Sequence, residues 1–172
     1  ATAASWQVRP QWRVSANASH VERAPKDYEL FANGPHIATA AWEQGNSKLG
    51  LEKANSVDLS AQWQQSTDQF RIAVFQSRFA NFIGLMGTQE IQDELPVQLY
   101  QGVRAKFSGM EASGQWRLLQ GSGTLDLALK ADSVRAQNLS THEPLPRISP
   151  FRWGASLIHN SGPWSARLGF DW

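Results

Sequence analysis

Few residues in this chain have the types and spacing that direct chemistry needs. The 172 residues include four His and no Cys, so disulfides and thiolate metal sites are excluded. Ser19 precedes His20, and Ser140 lies two residues before His142. Neighbouring side chains on a strand point to opposite faces, so Ser19 and His20 cannot easily act together as nucleophile and base. We therefore predict that the chain is not an enzyme and holds no cofactor of its own.

Two residues of a long connection have side chains that suit a metal ion. His36 offers a ring nitrogen and Glu43 offers carboxylate oxygens. The other three histidines are scattered without ligand spacing. The alternative is that His36 is an ordinary loop histidine beside the turn formed by residues 33–35. The sequence predicts a metal site at His36 and Glu43, with that alternative left open.

Composition excludes several classes of protein. Lys and Arg (16) nearly balance Asp and Glu (15), and no basic run is present that would bind a nucleic acid backbone. Eight Trp and eight Phe are too many for a disordered chain. No apolar run approaches the roughly 20 residues of a membrane helix. Because the first residues lack the pattern of a signal peptide, we expect a mature, cut or cytosolic chain.

The hydrophobic pattern has a period of two, which is typical of strands with one apolar and one polar face. Five segments alternate in this way: 12–18, 57–63, 124–130, 151–157 and 164–172. Two longer segments, 69–82 and 103–119, change parity along their length. Gly109 lies at the second change, and we predict a β-bulge there. The sequence therefore predicts an all-β protein of about seven or eight antiparallel strands.

Short and long connections alternate between these strands. The long ones cover about 22–50, 86–100 and 138–147. Tight turns at one end and long loops at the other are typical of outer-membrane barrels. Aromatic residues cluster beside the tight turns, where barrels carry rings at the membrane–water interface: Trp6, Trp12, Trp63, Phe70, Trp116 and Trp164. A soluble β-sandwich with aromatic core ends is the alternative.

A membrane sheet cannot leave its edges open, because each unpaired backbone group in lipid costs several kcal/mol. The strands must therefore close on themselves or belong to a larger closed sheet. A self-contained barrel of eight strands, with a structural, adhesive or lipid-binding role, is one solution. A wider barrel accommodates the many charged residues of the polar face more easily.

Several motifs, in order along the chain, resemble TonB-dependent outer-membrane receptors. In that family a strand runs into an Arg-Ala-Pro turn followed by Tyr-Glu-Leu, as in Arg23–Pro25 and Tyr28–Leu30. The segment Gly45–Leu59 is similar to the next passage of the family, although Ser47 replaces the usual Pro and Ala54 the usual Ser. Further similar motifs are Phe79–Ile83, Gly109–Glu111 and Leu145–Pro150. The segment Ala32–Ala40 most resembles the subgroup of this family that is linked to zinc uptake.

This resemblance implies that residues 1–172 are an internal or C-terminal-side part of a 22-stranded barrel in the outer membrane of a Gram-negative bacterium. The partners implied are outer-membrane lipid, a plug domain of the same parent chain, and the TonB complex. The implied function is energy-driven uptake of a scarce ligand, namely zinc, another metal ion, or a metal chelate such as a siderophore or haem. Residues that the resemblance places near the lumen or ligand are Glu22, Arg23, Tyr28 and Glu29. An exposed Glu22–Arg23 ion pair is the alternative.

Overall fold

The computed structural model describes all 172 residues, and its strands form one mainly antiparallel sheet, which confirms the all-β prediction. Eight long strands form the sheet, and two short strands and two short helical turns lie in its longest connection. The elements are β1 (Thr2–Arg9), β2 (Trp12–Arg23), α1 (Asp27–Phe31), β3 (Asn33–His36), a 3₁₀ turn (Ile37–Thr39), β4 (Ala41–Gln44), β5 (Glu52–Gln65), β6 (Asp68–Gln92), β7 (Leu95–Gln120), β8 (Thr124–Asn138), β9 (Arg152–Ser161) and β10 (Trp164–Asp171).

The long strands lie side by side in the order β1-β2-β5-β6-β7-β8-β9-β10. Each pairs antiparallel with its neighbours, whereas β1 and β10 pair on one side only. Both outer edges of the sheet are therefore free to accept further strands. No helix of the structure has the length and apolar character needed to cross a membrane.

The tight turns define one end of the sheet, and next to them the two faces differ in polarity. On the face that we call inner, Asn17 donates to Asp58 over 3.1 Å, and Arg117 pairs with the buried Asp126. On the opposite, outer face, Trp12 lies across from Trp63, which lies across from Phe70. No second layer covers this outer face, on which the side chains of Trp164 and Leu168 are 79% and 74% exposed.

The two parity changes of the sequence reflect an inversion of polarity in the half of the sheet near the long loops. Phe75, Phe79 and Phe107 face inwards there, while Arg78 and Lys106 face outwards. The predicted bulge at Gly109 is wrong, because Gly109 keeps its register with Phe75 on β6 and with Val134 on β8. Bulges lie elsewhere, for instance between Phe79 and Phe82.

The space around Gly109, rather than a bulge, explains why this residue is glycine. A Cβ atom added there would lie 2.5 Å from a ring carbon of Phe75 and 2.6 Å from the carbonyl oxygen of Ser133. The missing side chain therefore makes room for an inward-facing aromatic ring on the neighbouring strand.

The long connections differ in internal structure. Residues 86–100, expected as a long loop, form a hairpin instead, since β6 and β7 continue to a tight turn at Asp93 and Glu94. Both turn residues have positive φ (47° and 63°), as the central residues of a type I′ hairpin turn do. The connection predicted at 138–147 extends over residues 139–151.

All of the buried apolar side chains lie in the loop-side half. Leu145, from the β8–β9 connection, packs on Ala105 and Ala136 beside the rings of Phe79, Phe82 and Phe107. The β2–β5 connection reaches the same hairpin, since its β4 pairs in parallel with β7. The long loops and the β6–β7 hairpin thus build a small core that the rest of the sheet lacks.

Candidate functional site

Arg23 links helix α1 to the ends of β2 and β5. It is the last residue of β2 and lies opposite Glu52, the first residue of β5. Its guanidinium donates to Glu52 Oε1 over 2.8 Å and to Glu29 Oε2 over 2.8 Å. The side chain of Glu29 is only 5% exposed and that of Glu52 13%. One cation therefore neutralises two largely buried carboxylates.

Glu29 also caps the N-terminus of helix α1. Its Oε2 accepts from the backbone N–H of Lys26 over 2.7 Å, which satisfies an unpaired donor of the first turn. Burial by itself would raise the pKa of Glu29, but the hydrogen bonds from Arg23 and Lys26 outweigh it, and the pKa lies below its usual value. The carboxylate is thus held in its charged form.

The β2–β5 connection packs directly on this helix at Gly45 and Asn46, just after β4. Gly45 donates to the carbonyl of Ala32 over 2.7 Å, and Asn46 donates to the carbonyl of Glu29 over 2.8 Å. A Cβ atom at Gly45 would lie 2.5 Å from the backbone of Leu30 and Phe31. Glycine at this position permits the close approach that fixes the loop.

Glu22 does not join this cluster, because its side chain lies on the opposite face of β2 from that of Arg23. Its carboxylate accepts from Lys53 Nζ at 2.9 Å and lies 3.2 Å from His20 Nε2. Of the predicted ligand or lumen residues, the structure brings together Arg23, Glu29 and Tyr28 and separates Glu22 from them.

A second cluster surrounds Glu43 on β4. His36 Nδ1 lies 3.5 Å from Glu43 Oε1, and the Thr39 hydroxyl donates to the same oxygen over 3.0 Å. The hydroxyl of Tyr100 donates to Glu43 Oε2 over 3.4 Å. Burial, followed by the nearby charge of Glu43, raises the pKa of Tyr100 to about 12. His36 is half exposed, so the cluster is open to solvent on one side.

Tyr28 connects the two clusters. Its ring centroid lies 5.8 Å from that of Tyr100, and Lys26 Nζ lies 5.5 Å from the centroid of the Tyr28 ring. We use the name loop site for the combined set Arg23, Tyr28, Glu29, His36, Glu43, Glu52 and Tyr100. His36 and Glu43, predicted as metal ligands, are neighbours here, although no three His, Asp or Glu side chains gather into a metal-ligating group.

Sequence reasoning missed Glu52, Thr39 and Tyr100. Glu52 could have been found, because it lies on the polar face of its strand. It is 29 residues from Arg23, and the antiparallel pairing of β2 with β5 brings the two side chains together. Thr39 and Tyr100 reach Glu43 only through the fold of the connection and the parallel pairing of β4 with β7. No local pattern in the sequence signals that pairing.

The inner face between the loop site and the tight turns carries further ion pairs. Lys130 Nζ lies 2.7 Å from Asp171, and Arg152 lies 2.9 Å from Asp132. Arg117 and Asp126 pair on the same face nearer the turns. The outer face at this level carries the aromatic residues predicted for a membrane interface, several of them next to the turns. One face therefore suits water and ions, and the other suits an apolar medium.

Comparison with known proteins agrees with this arrangement. A family model described as "TonB dependent receptor-like, beta-barrel" matches residues 1–172. The structure is similar to that of "Copper transporter OprC", with a TM-score of 0.80 and 19% identity over 98% of this chain and 25% of that chain. It is also similar to the siderophore receptor PirA from Pseudomonas aeruginosa, with a TM-score of 0.67 and 13% identity over 97% of this chain and 32% of that one. The chain spans a quarter to a third of these solved structures.

Proposed function

The chain belongs to the TonB-dependent receptor β-barrel family, and from this premise we propose that it forms part of the wall of an outer-membrane receptor. The receptor takes up a scarce metal ion or metal chelate and uses energy transmitted by TonB. The observation that carries the proposal is the two-faced sheet, with exposed apolar side chains on the outer face and ion pairs on the inner face near the turns.

In this proposal the outer face contacts lipid. Exposed Trp, Leu and Phe side chains cost free energy in water, at about 25 cal/mol per Å² of apolar surface, and lose that cost in a bilayer. Trp6, Trp12, Trp63, Phe70, Trp116 and Trp164 then form part of the aromatic girdle next to the short periplasmic turns.

The inner face lines the lumen of a larger barrel, and β1 and β10 pair with further strands of the parent protein. A 22-stranded barrel filled by a plug domain fits both free edges of the sheet. Strand closure removes the unpaired backbone groups that lipid does not tolerate. The ion pairs of Lys130, Arg152 and Arg117 then face the plug or the water beside it.

The loop site lies at the opposite end from the tight turns, which is the extracellular end in this orientation. We assign to it the first contact with the transported ligand. Nitrogen and oxygen donors of His36 and Glu43 suit a divalent metal ion, and Tyr100 adds a third polar group on the same carboxylate. We propose zinc as the first ligand to test, with copper and ferric siderophores as the alternatives.

Uptake measured with the complete parent gene tests this proposal. A strain that lacks the gene is complemented with wild type, with His36→Ala plus Glu43→Gln, or with His159→Ala as a matched control, since His159 is exposed beside a tight turn. Zinc uptake should return with wild type and the control and fall at least roughly ten-fold in the double variant, since even the loss of a residue that only orients a metal ligand lowers metal affinity about 10–100-fold.

Each outcome of the uptake experiment decides a separate point. Restoration of copper or ferric siderophore uptake in place of zinc would correct the ligand and keep the transport function. Full zinc uptake by the double variant would remove His36 and Glu43 from the ligand path. No change in uptake of any of these ligands on deletion would refute the receptor function.

A further inference from the structure

Three cations lie together on the outer face, in the loop-side half of the sheet. Arg78 on β6 is directly opposite Lys106 on β7. Lys106 is opposite Gln137 on β8. Arg135, two residues from Gln137 and on the same face of β8, lies opposite Ser108. Residues directly opposite in an antiparallel pair have Cβ atoms about 5 Å apart, and diagonal neighbours lie within reach of long side chains. We call Arg78, Lys106 and Arg135 the cationic row.

The protein itself does not neutralise the cationic row. None of its three side chains forms an ion pair or a hydrogen bond in the structure, and Arg104, two residues from Lys106 on the same face, has no ionic partner either. Like charges placed directly opposite each other destabilise a sheet. Glu22, the carboxylate that the outer face carries at this level, is already paired with Lys53 and His20. The row therefore remains available to an anion from outside the chain.

The position of the row along the strands indicates where that anion comes from. Strands tilted by about 45° rise roughly 2.4 Å per residue along the membrane normal. Arg78, Lys106 and Arg135 are about eleven to fifteen residues from the tight turns, so they lie roughly 25–35 Å from the turn side. The outward apolar band of a barrel is about 25 Å tall. The row thus lies just beyond the apolar band, at the level of headgroups in the extracellular leaflet.

A cleft beside the row has the mixed lining that an amphiphilic headgroup needs. Its volume is about 470 Å³. Lys106, Arg135, Ser108 and Gln137 supply cationic and hydrogen-bonding groups, and Pro144, which lies opposite Gln137, supplies apolar surface. A free anion would use only the first set, whereas a lipid headgroup with its attached chain would use both.

We propose that the cationic row and its cleft bind a phosphate group carried by a lipid of the extracellular leaflet. The phosphate oxygens accept hydrogen bonds from Arg78, Lys106 and Arg135, and the acyl chains continue along the exposed apolar surface of Val74 and Met110 on the turn side of the row. The proposal rests on the membrane orientation given under Proposed function. Its binding energy is electrostatic and therefore depends on salt.

The test uses the complete receptor purified into nanodiscs of a neutral lipid. A phosphorylated glycolipid is added, together with a dephosphorylated form of the same lipid as comparison, and native mass spectrometry counts bound lipid. The wild-type receptor should retain the phosphorylated form selectively. The triple variant Arg78→Gln, Lys106→Gln, Arg135→Gln should lose roughly a hundred-fold in affinity, because each cation near an anionic lipid surface contributes about five-fold.

Two control variants distinguish a general effect of positive charge on lipid binding from a specific effect of the cationic row. The variant Arg9→Gln, Lys48→Gln, Arg71→Gln removes the same charge from exposed positions near a turn, in a loop and on the inner face, and should bind as wild type does. The variant Arg78→Lys, Lys106→Arg, Arg135→Lys keeps the charges and should retain most of the binding. Heat-resistant migration on gels confirms that each variant has folded.

Three results would overturn the proposal. Equal binding by the triple glutamine variant would leave the row as a solvated charge cluster. Equal binding of the dephosphorylated lipid would remove phosphate as the recognised group, and displacement of the lipid by millimolar inorganic phosphate would indicate a site for free anions. Uptake of metal is measured on the same variants. If the triple glutamine variant loses lipid binding but takes up metal normally, the result supports the lipid proposal independently of transport. If the wild-type receptor binds the phosphorylated lipid selectively but takes up no metal, only the receptor function is contradicted.

Discussion

The two halves of this sheet use the same strands in opposite ways. Near the tight turns, apolar side chains such as Trp63 and Leu127 face outwards, and the inner face holds ion pairs such as Arg117 with Asp126. Near the long loops, Phe79 and Phe107 face inwards. Strand geometry alone does not set which face is apolar, because the alternation permits either choice. In the proposed orientation the medium on each side decides, and it changes along the length of one strand.

The halves also differ in what stabilises them. The loop-side half has a small core and a buried ion cluster, so it is stabilised in water as an ordinary folded protein is. The turn-side half buries no apolar side chain. In the proposed orientation it depends on strand pairing and on the surrounding lipid. Substitutions should therefore have different consequences in the two halves, and the following four predictions test this, from the largest effect to the smallest.

Removal of Arg23 should have the largest effect, and it should be confined to the loop-side half. Arg23→Ala leaves Glu29 and Glu52 largely buried without a cation, which costs roughly 3–5 kcal/mol for a broken buried pair. Hydrogen exchange of the Gly45 and Asn46 amides in the complete receptor measures the local opening. Glu22→Ala, a change at the neighbouring exposed residue, should cost no more than about 1 kcal/mol. Equal effects of the two variants would contradict the buried cluster.

A charge on the outer face of the turn-side half should be nearly as costly. Leu59 is 49% exposed and lies in the middle of the apolar band. Leu59→Lys should destabilise the receptor in lipid by about 2–4 kcal/mol, as cations at the bilayer midplane do. The control is Ser60→Lys, one residue away on the inner face, which should be tolerated. Urea unfolding in lipid vesicles measures both, and an equal cost for the two would refute the lipid contact of the outer face.

Filling the space at Gly109 should be moderately destabilising. Gly109→Ala forces the Phe75 ring and the Ser133 carbonyl apart, and overpacking of this kind costs about 1–3 kcal/mol. The matched control is Gly121→Ala in the β7–β8 turn, where a Cβ atom meets nothing within 4 Å. Equilibrium unfolding of the complete receptor compares the two. A Gly109→Ala variant as stable as the control would show that the ring can move without cost.

The smallest effect is a pH dependence of the β2–β5 connection. The pKa of Glu29 is lower in the folded chain than its unfolded value near 4.5. Ionised Glu29 therefore stabilises the fold fully above that pH, and the stabilisation is lost as pH falls below 4.5 towards the folded pKa. Exchange protection of the Asn46 amide, corrected for intrinsic rates, should decline over this range. Glu29→Gln should show a lower and flatter profile, and identical profiles would contradict the assignment.

The sequence determined the strands, because each side chain reports by its polarity which face of its strand it occupies. The alternation at 12–18 and 57–63 predicted β2 and β5, and the aromatic positions predicted the turn-side end of the outer face. The motifs around Arg23 and Tyr28 were enough to indicate the receptor family, which the family match confirms.

The tertiary structure alone decided the loop-side half. The parity change at Gly109 suggested a bulge, whereas the strand runs straight and its apolar face switches side. The partners Glu52 and Tyr100 lie far from Arg23 and Glu43 in sequence and meet them only through strand register and the parallel pairing of β4 with β7. A period of two records the medium on each face locally, but it holds no information on which distant side chain completes a charge or a core.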